Sequence, residues 1–283
     1  MYASRIPENN RVHQNSLRLG RIQYMNVAPI YYGLEMFHQA EYQLTSAPPA
    51  TLNRMLSLKQ LDISSVSSIA YGKNQHQWDL LPGLSISSWG KVMSVKLVSK
   101  YQLEKLNDKH IILTHESETA AALLKLLLKN TGIVPHYSLK PIVYPDWISE
   151  SDAALVIGDT ALRYNWKKRL PYVYDLGELW HDLTSLPFVF GVWAVRKQYA
   201  DANPNNVQRI IHQFYQSKQS GLANIDSISR MAAHKLGIDI QTCNTYYQCL
   251  NYDFENIHFK SLQTFFDGMG IESDLIKNVA FQR

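Results

Sequence analysis

The chain of 283 residues is 46% hydrophobic and 18% charged with a formal net charge of +4, a balance typical of a folded globular protein. Its basic residues form no stripe, the densest cluster being 167–169, and this argues against a nucleic-acid-binding surface. Residues 1–16 lack the apolar core of a signal peptide, and the longest apolar run, 186–195, is too short for a bilayer of about 30 Å. We therefore expect a cytoplasmic protein with no membrane partner.

Several classes of catalytic and metal site are missing from the sequence. Cys243 and Cys249 have neither the spacing of a metal site nor that of a redox pair. The histidines form no HxxH, HExxH or HxH pattern, so we expect no metal. There is no nucleophile elbow, no phosphate-binding loop and no dinucleotide glycine pattern.

Strands and helices alternate in the first part of the chain. Residues 17–25 and 42–45 have the pattern of strands, and each is followed by a helical pattern that contains or begins with proline. A third short strand at 61–64 precedes a helix start at Ser67. This order predicts a mostly parallel sheet.

The alternation is interrupted once and then resumes. Residues 84–88 and 92–99 are predicted to form a strand pair, and after Lys100 a second series begins. Its predicted elements are a strand at 110–114, a helix at 117–129 and strands at 140–144 and 153–157. Residues 187–195 are predicted to form a buried strand, and the chain from Pro204 onwards to be helical with interruptions at Gly221, Gly237 and Gly268.

Two series of α/β elements predict two lobes. We expect residues 1–96 and 194–283 to form a discontinuous first lobe and residues 97–193 to form the second. Two crossings between the lobes suggest a hinged ligand cleft. The alternative is one discontinuous domain.

Small polar residues stand where predicted strands end and helices begin. Asn26 offers a donor and an acceptor without a charge at one such point. The other candidates are Ser67, Ser68, Ser117, Glu118, Thr119, Gly158 and Asp159. Each could simply cap its helix, since Ser, Thr and Asp are common caps and an acid is favoured in a first turn. Two such helix starts facing one cleft would instead bind a ligand with two anionic groups, without lysine or arginine.

Four sets of segments carry a resemblance to a known family. They are Gly20-Arg21-Ile22-Gln23-Tyr24-Met25-Asn26 with Pro29, the stretch 61–71, the stretches 84–88 and 92–95, and Ile157-Gly158-Asp159 with 174–178 and 186–190. Together they resemble chorismate dehydratases of the futalosine route to menaquinone. One departure is Lys91, at a position where this family commonly has proline.

The resemblance implies a type II periplasmic-binding-protein-like fold with a ligand cleft between two lobes, used as a cytoplasmic hydro-lyase. The family converts chorismate to 3-[(1-carboxyvinyl)oxy]benzoate and water without metal or organic cofactor. A sister enzyme of the same fold makes 1,4-dihydroxy-6-naphthoate, but its usual opening motif is absent here. A non-catalytic protein that binds small anions is the alternative from another functional class.

The resemblance and the strand-end residues together suggest roles in such a reaction. We expect Asn26 and Ser94 to be catalytic, with Ser88 as a further donor, and the other strand-end residues to bind the two carboxylates. Because no side chain stands out as a base, our hypothesis is that the enolpyruvyl carboxylate of the substrate removes the C3 proton. The aromatic stretch 180–190 either walls the cleft or is a loop leading into a core strand.

Overall fold

Two five-stranded sheets form the framework of the protein. The computed structural model describes residues 16–38, 41–140, 150–275 and 279. In spatial order, the strands of the first sheet are β2 (Tyr42–Ala47), β1 (Leu17–Ile22), β3 (Ile63–Ser67), β10 (Phe188–Arg196) and β4 (Trp78–Ser88). Those of the second sheet are β7 (His136–Leu139), β6 (His110–Leu113), β8 (Ala153–Ile157), β5 (Val95–Ser99) and β9 (Tyr172–Asp175).

The two sheets share one pattern of strand directions. In the first, β1 is parallel to β2 and β3, whereas β10 is antiparallel to β3 and β4. In the second, β6 is parallel to β7 and β8, whereas β5 is antiparallel to β8 and β9. The parallel arrangement predicted for the first three strands is therefore correct, but each sheet is mixed as a whole. The predicted strand at 140–144 lies almost entirely outside the described residues.

Eleven helices lie within the described part of the chain. The first six are α1 (Ala28–Phe37), α2 (Pro49–Ser57), α3 (Ser68–Asn74), α4 (Glu118–Asn130), α5 (Gly158–Arg163) and α6 (Leu176–Thr184). The other five are α7 (Lys197–Ala202), α8 (Pro204–Ala223), α9 (Ile225–Leu236), α10 (Ile240–Cys249) and α11 (Asn256–Gly268). None of them is long and apolar enough to cross a membrane.

The chain passes between the sheets twice, through 89–94 and through 185–187. The predicted pairing of 84–88 with 92–99 is wrong, because β4 and β5 belong to different sheets. The backbone turns at Met93, whose φ is +61°, and Asp175 accepts the N–H groups of Val92 and Met93 (N–O distances of 3.0 and 2.7 Å). This carboxylate replaces the strand partner that these amides would otherwise need.

The limits of the lobes remain a prediction. We propose that each lobe follows one sheet, because among the described strands β5 pairs only with strands of the second sheet and β10 only with strands of the first. This assignment places the crossings at 89–94 and 185–187, a few residues before each limit expected from the sequence.

The C-terminal part is helical, as predicted, but the helix break expected at Gly221 is wrong. Gly221 lies inside α8, and a Cβ atom there would overlap the carbonyl oxygen of Pro29. The missing side chain lets α8 lie directly against α1. Behind this contact Tyr31, Trp193 and Phe214 pack together with no or almost no solvent exposure. The buried contact anchors α1, and with it the turn that carries Asn26.

Candidate active site

A cavity lies where strand ends and helix starts of the two sheets meet. About 550 Å³ of space, part of it open to solvent, is left unfilled by protein atoms. The lining residues on elements of the first sheet are Ile22, Tyr24, Asn26, Pro49, Ser67, Ile86, Phe190 and Gly191. Those on the crossover and on elements of the second sheet are Val92, Ser94, Val95, Ser117, Ile157 and Gly158. Both sheets therefore contribute to one site.

The lining of this cavity is neutral. Among the described residues that line it there is no lysine, arginine, histidine, aspartate or glutamate, and their polar side chains are one amide, one phenol and three serine hydroxyls. The amide and the serine hydroxyls can donate hydrogen bonds to an anion without placing a charge beside it. Burial raises the pKa of Tyr24, so this phenol also stays uncharged.

Asn26 lies in a short 3-10 turn, Met25–Val27, between β1 and α1. Neither this turn nor α1 has a side-chain cap, so the amide of Asn26 is not used as a helix cap. Its Oδ1 atom is buried and has no hydrogen-bond partner within the described residues. Because buried polar atoms are normally paired, this oxygen is available to a bound molecule.

Both backbone groups of Met25, the residue before Asn26, are held by side chains from distant elements. Its N–H donates to Oδ1 of Asp159 on α5, with an N–O distance of 3.3 Å. Its carbonyl oxygen accepts from the hydroxyl of Tyr247 on α10, with an O–O distance of 3.0 Å. Asp159 does not line the cavity and acts on it through this backbone contact.

Ser94 lies on the first crossover and is 5% exposed. Its carbonyl oxygen accepts the N–H of Gly158 (N–O 2.7 Å), and its side chain interacts with the buried hydroxyl of Tyr246. Gly158 has a φ of +56°, and a Cβ atom there would lie 3.1 Å from the ring of Tyr24. The ring of Tyr24 is fixed from the other side, because its hydroxyl donates to Glu116 (O–O 2.7 Å). Ser94, Gly158 and Tyr24 thus hold one another in place.

The first residues of α3 and α4 contact each other, although the two helices follow strands of different sheets. Thr119 of α4 accepts the N–H of Ile69 of α3 with an N–O distance of 3.0 Å. Ser117 caps its own helix by accepting the N–H of Ala120, and it also lines the cavity. Ser67 does not cap α3 but accepts from the side chain of Asn53, at an N–O distance of 3.1 Å.

The structure separates the residues predicted from the sequence into two groups. Asn26, Ser67, Ser94, Ser117 and Gly158 line the cavity. The others lie outside the lining and bond elsewhere; they are Ser68 (to the Val189 carbonyl), Ser88 (to the Gly90 carbonyl), Glu118 (to Lys73), Thr119 (to Ile69) and Asp159 (to Met25). Their predicted role in binding substrate stays a prediction.

Several residues around the site were missed in the sequence. Tyr24 has only a strand pattern, Glu116 precedes a helix without any motif, and Tyr246 and Tyr247 lie in a helical pattern with no distinguishing spacing. Of the aromatic stretch 180–190, Phe190 lines the cavity, whereas Trp180 lies in α6 and packs on Phe265. The high tyrosine content of 17 residues was the only available signal.

Comparison with known proteins agrees with this architecture. A menaquinone biosynthesis family model matches residues 17–269. A chorismate dehydratase from Thermus thermophilus is 32% identical over 269 residues, which cover 89% of this chain and 95% of that protein.

Solved structures support the fold alone. The protein AF1704 from Archaeoglobus fulgidus superposes with a TM-score of 0.75 at 18% identity, covering 91% of this chain and 98% of that one. The periplasmic aliphatic sulphonate binding protein SsuA from Escherichia coli gives a TM-score of 0.61 at 15% identity, covering 94% and 97%. These matches confirm the predicted periplasmic-binding-protein-like fold, and the family match extends over nearly the whole described chain. This protein belongs to the menaquinone biosynthesis family.

Proposed function

We propose that this protein is a chorismate dehydratase, which eliminates water from chorismate to give 3-[(1-carboxyvinyl)oxy]benzoate. The observation that carries the proposal is the 32% identity to the Thermus chorismate dehydratase over 95% of that protein's length. The cavity supports it, because a small dianion needs hydrogen-bond donors and the lining offers them from both sheets.

The reaction requires loss of the C3 proton and of the C4 hydroxyl. The C1 carboxylate is conjugated through the ring with C3, so removal of the proton moves negative charge towards that carboxylate. Departure of the C4 hydroxyl then makes the ring aromatic, and the hydroxyl leaves as water once it takes up the proton. Oriented neutral donors near the developing charge are the main catalytic contribution expected of the protein.

The neutral lining supports a substrate-assisted route for the proton. A general base must lie within hydrogen-bonding reach of the proton that it removes. The described lining contains no carboxylate, imidazole or amine, so the enolpyruvyl carboxylate of the substrate itself remains as the base. It accepts the C3 proton and returns it to the departing hydroxyl, which balances the reaction.

In this proposal the side chains of the lining act as donors. The amide of Asn26 donates to the departing hydroxyl, and the hydroxyls of Ser67, Ser94 and Ser117 bind carboxylate oxygens. Tyr24 and Phe190 provide aromatic surface for the ring. The family resemblance implies that the reaction needs no metal, and this expectation is part of the test below.

The test is to incubate the purified protein with chorismate and a metal chelator, and to identify the product by its mass and its ultraviolet absorbance. We expect loss of one water at an undiminished rate in the chelator. Binding of chorismate without conversion would favour the anion-binding alternative, and a rate restored only by added metal would contradict the metal-free route.

Two neighbouring serines give a matched control for the role of the cavity. Ser67→Ala removes a hydroxyl from the lining, whereas Ser68→Ala removes one that donates to the Val189 carbonyl outside it. We expect Ser67→Ala to weaken substrate binding by about 1–3 kcal/mol. Because Ser68 bonds outside the lining, we expect Ser68→Ala to leave the Michaelis constant unchanged, a result that would remove Ser68 from the predicted binding residues. Equal effects of the two substitutions would contradict the assignment of Ser67 to the site.

A further inference from the structure

The short turn that carries Asn26 does not by itself fix the direction of the Asn26 side chain. The turn Met25–Val27 is a single 3-10 turn without a side-chain cap at its start. Its internal hydrogen bond runs from the Ala28 N–H to the Met25 carbonyl. Because such short turns have weak hydrogen-bond geometry, the direction of the Asn26 side chain depends on contacts from outside the turn.

The contacts to Met25 supply that orientation. A peptide unit is planar, so the Met25 carbonyl and the N–H and Cα of Asn26 move together. The Tyr247 hydroxyl donates to this carbonyl (O–O 3.0 Å), and Asp159 accepts the N–H of the preceding peptide unit (N–O 3.3 Å). Both peptide units flanking Met25 are therefore held, one by α10 and one by α5, the helix that follows β8 of the second sheet.

Tyr247 is suited to a permanent contact of this kind. It is 4% exposed, and its ring lies against that of Tyr246, with centroids 5.4 Å apart. Burial raises the pKa of Tyr247, so its hydroxyl stays protonated and able to donate at neutral pH. Tyr246 in turn interacts with Ser94, so one pair of adjacent tyrosines contacts Ser94 and the peptide unit that precedes Asn26.

We propose that Tyr247 is a positioning residue that orients the amide of Asn26 through the Met25 carbonyl. This inference rests on the proposed function for its catalytic consequence, but its structural part does not require it. Asp159 holds the same residue from the second sheet, so the full orientation of Asn26 requires the two sheets to be in contact as they are here.

Tyr252 provides a matched control. Like Tyr247 it is 4% exposed, but its buried hydroxyl has no hydrogen-bond partner within the described residues. We expect Tyr247→Phe to lower kcat about ten- to a hundredfold, the scale of a small misplacement of a reacting group. Tyr252→Phe should lower it less than about twofold, and KM should change little in either variant.

A double-mutant cycle tests whether Tyr247 acts through Asn26. In an Asn26→Ala background, Tyr247→Phe should have almost no further effect on kcat, because the amide that it positions is gone. In a Ser94→Ala background the effect of Tyr247→Phe should persist in full. The same factor in both backgrounds, or an equal loss in Tyr252→Phe, would overturn the proposal.

Amide hydrogen exchange gives a reading that needs no substrate. Exchange in the segment 22–30 should be faster in Tyr247→Phe than in the parent and in Tyr252→Phe. Unchanged exchange in that segment would overturn the positioning role whatever the activity. If the parent protein does not convert chorismate, the proposed function fails, and the exchange experiment still decides whether Tyr247 orders the turn.

Discussion

Substitution of Asn26 tests the chemistry of the cavity, and two variants separate the two properties of its amide. Asn26→Ala removes both the donor and the unpaired Oδ1 acceptor and adds no charge. Asn26→Asp also removes the donor but places a carboxylate among lining residues that include no cation in the part of the chain that the structure describes. Since the side chain caps neither the 3-10 turn nor α1, we expect Asn26→Ala to melt close to the parent.

The expected magnitudes follow from these differences. Loss of one oriented donor costs about a hundred- to a thousandfold in kcat, or roughly 3–4 kcal/mol. In Asn26→Asp, a carboxylate roughly 5 Å from a substrate carboxylate adds about 3 kcal/mol of repulsion at an effective dielectric constant of about 20. That repulsion also acts on the bound substrate, so KM should rise by a factor on the order of a hundred.

Steady-state rates and melting curves of the three proteins measure both effects. We expect kcat to fall in both variants and KM to rise only in Asn26→Asp. A parental kcat in Asn26→Ala would refute the catalytic role of the amide, and the hydroxyl of Ser94 would become the candidate donor to the leaving group. A parental KM in Asn26→Asp would show that the carboxylates of the substrate lie far from this end of the cavity.

Two further predictions concern Gly158, which lines the cavity, and Asp159, which contacts the backbone beside Asn26. Gly158→Ala and Gly237→Ala both place a side chain at positive φ, which costs about 1–2 kcal/mol in each case, but only Gly158→Ala also brings a Cβ to 3.1 Å from the Tyr24 ring. We expect urea unfolding to show a similar loss of stability in both variants, and turnover to fall in Gly158→Ala alone. Equal turnover in the two variants would exclude a role for the contact with Tyr24. Burial raises the pKa of Asp159 in the folded protein, so its ionisation costs stability as pH rises through that pKa. Asp159→Asn keeps an acceptor for the Met25 N–H and cannot ionise, so at pH 8 it should have a higher melting temperature than the parent. Below about pH 3.9, the ordinary pKa of aspartate, the two melting temperatures should be equal. A difference in melting temperature that stays constant across pH would contradict this reasoning.

The general position of the site could be predicted from the sequence because of how parallel strands are arranged. Strand ends that precede helices lie at one edge of a sheet, which is where open α/β sheets bind ligands. Of the eight residues that this rule selects, Asn26, Ser67, Ser117 and Gly158 line the cavity. The other four, Ser68, Glu118, Thr119 and Asp159, lie outside the lining. Ser94 was recognised only through the family resemblance, since it lies on the crossover between the sheets.

The direction of individual side chains could not be predicted in the same way. Ser67 and Ser68 are adjacent, yet the first lines the cavity and the second bonds to β10, a strand that comes about 120 residues later and pairs antiparallel with β3. The pattern of 187–195 indicates a buried strand but not to which sheet it belongs. Long-range contacts cannot be predicted either: Tyr247 and Met25 are separated by 222 residues, and the helical pattern around Tyr247 does not indicate what its hydroxyl contacts.

The absence of cations from the described lining has a chemical consequence for the proposed reaction. An arginine or lysine on the enolpyruvyl carboxylate would bind the substrate more tightly, but it would lower the pKa of that carboxylate and so weaken it as a base. Transfer of the same carboxylate into a neutral, partly dehydrated cavity raises its pKa instead. Neutral donors at the ring carboxylate strengthen as charge accumulates there, so they favour the transition state over the bound substrate. A neutral cavity therefore suits a reaction in which the substrate supplies its own base, whereas an anion-binding protein would gain affinity from each added cation.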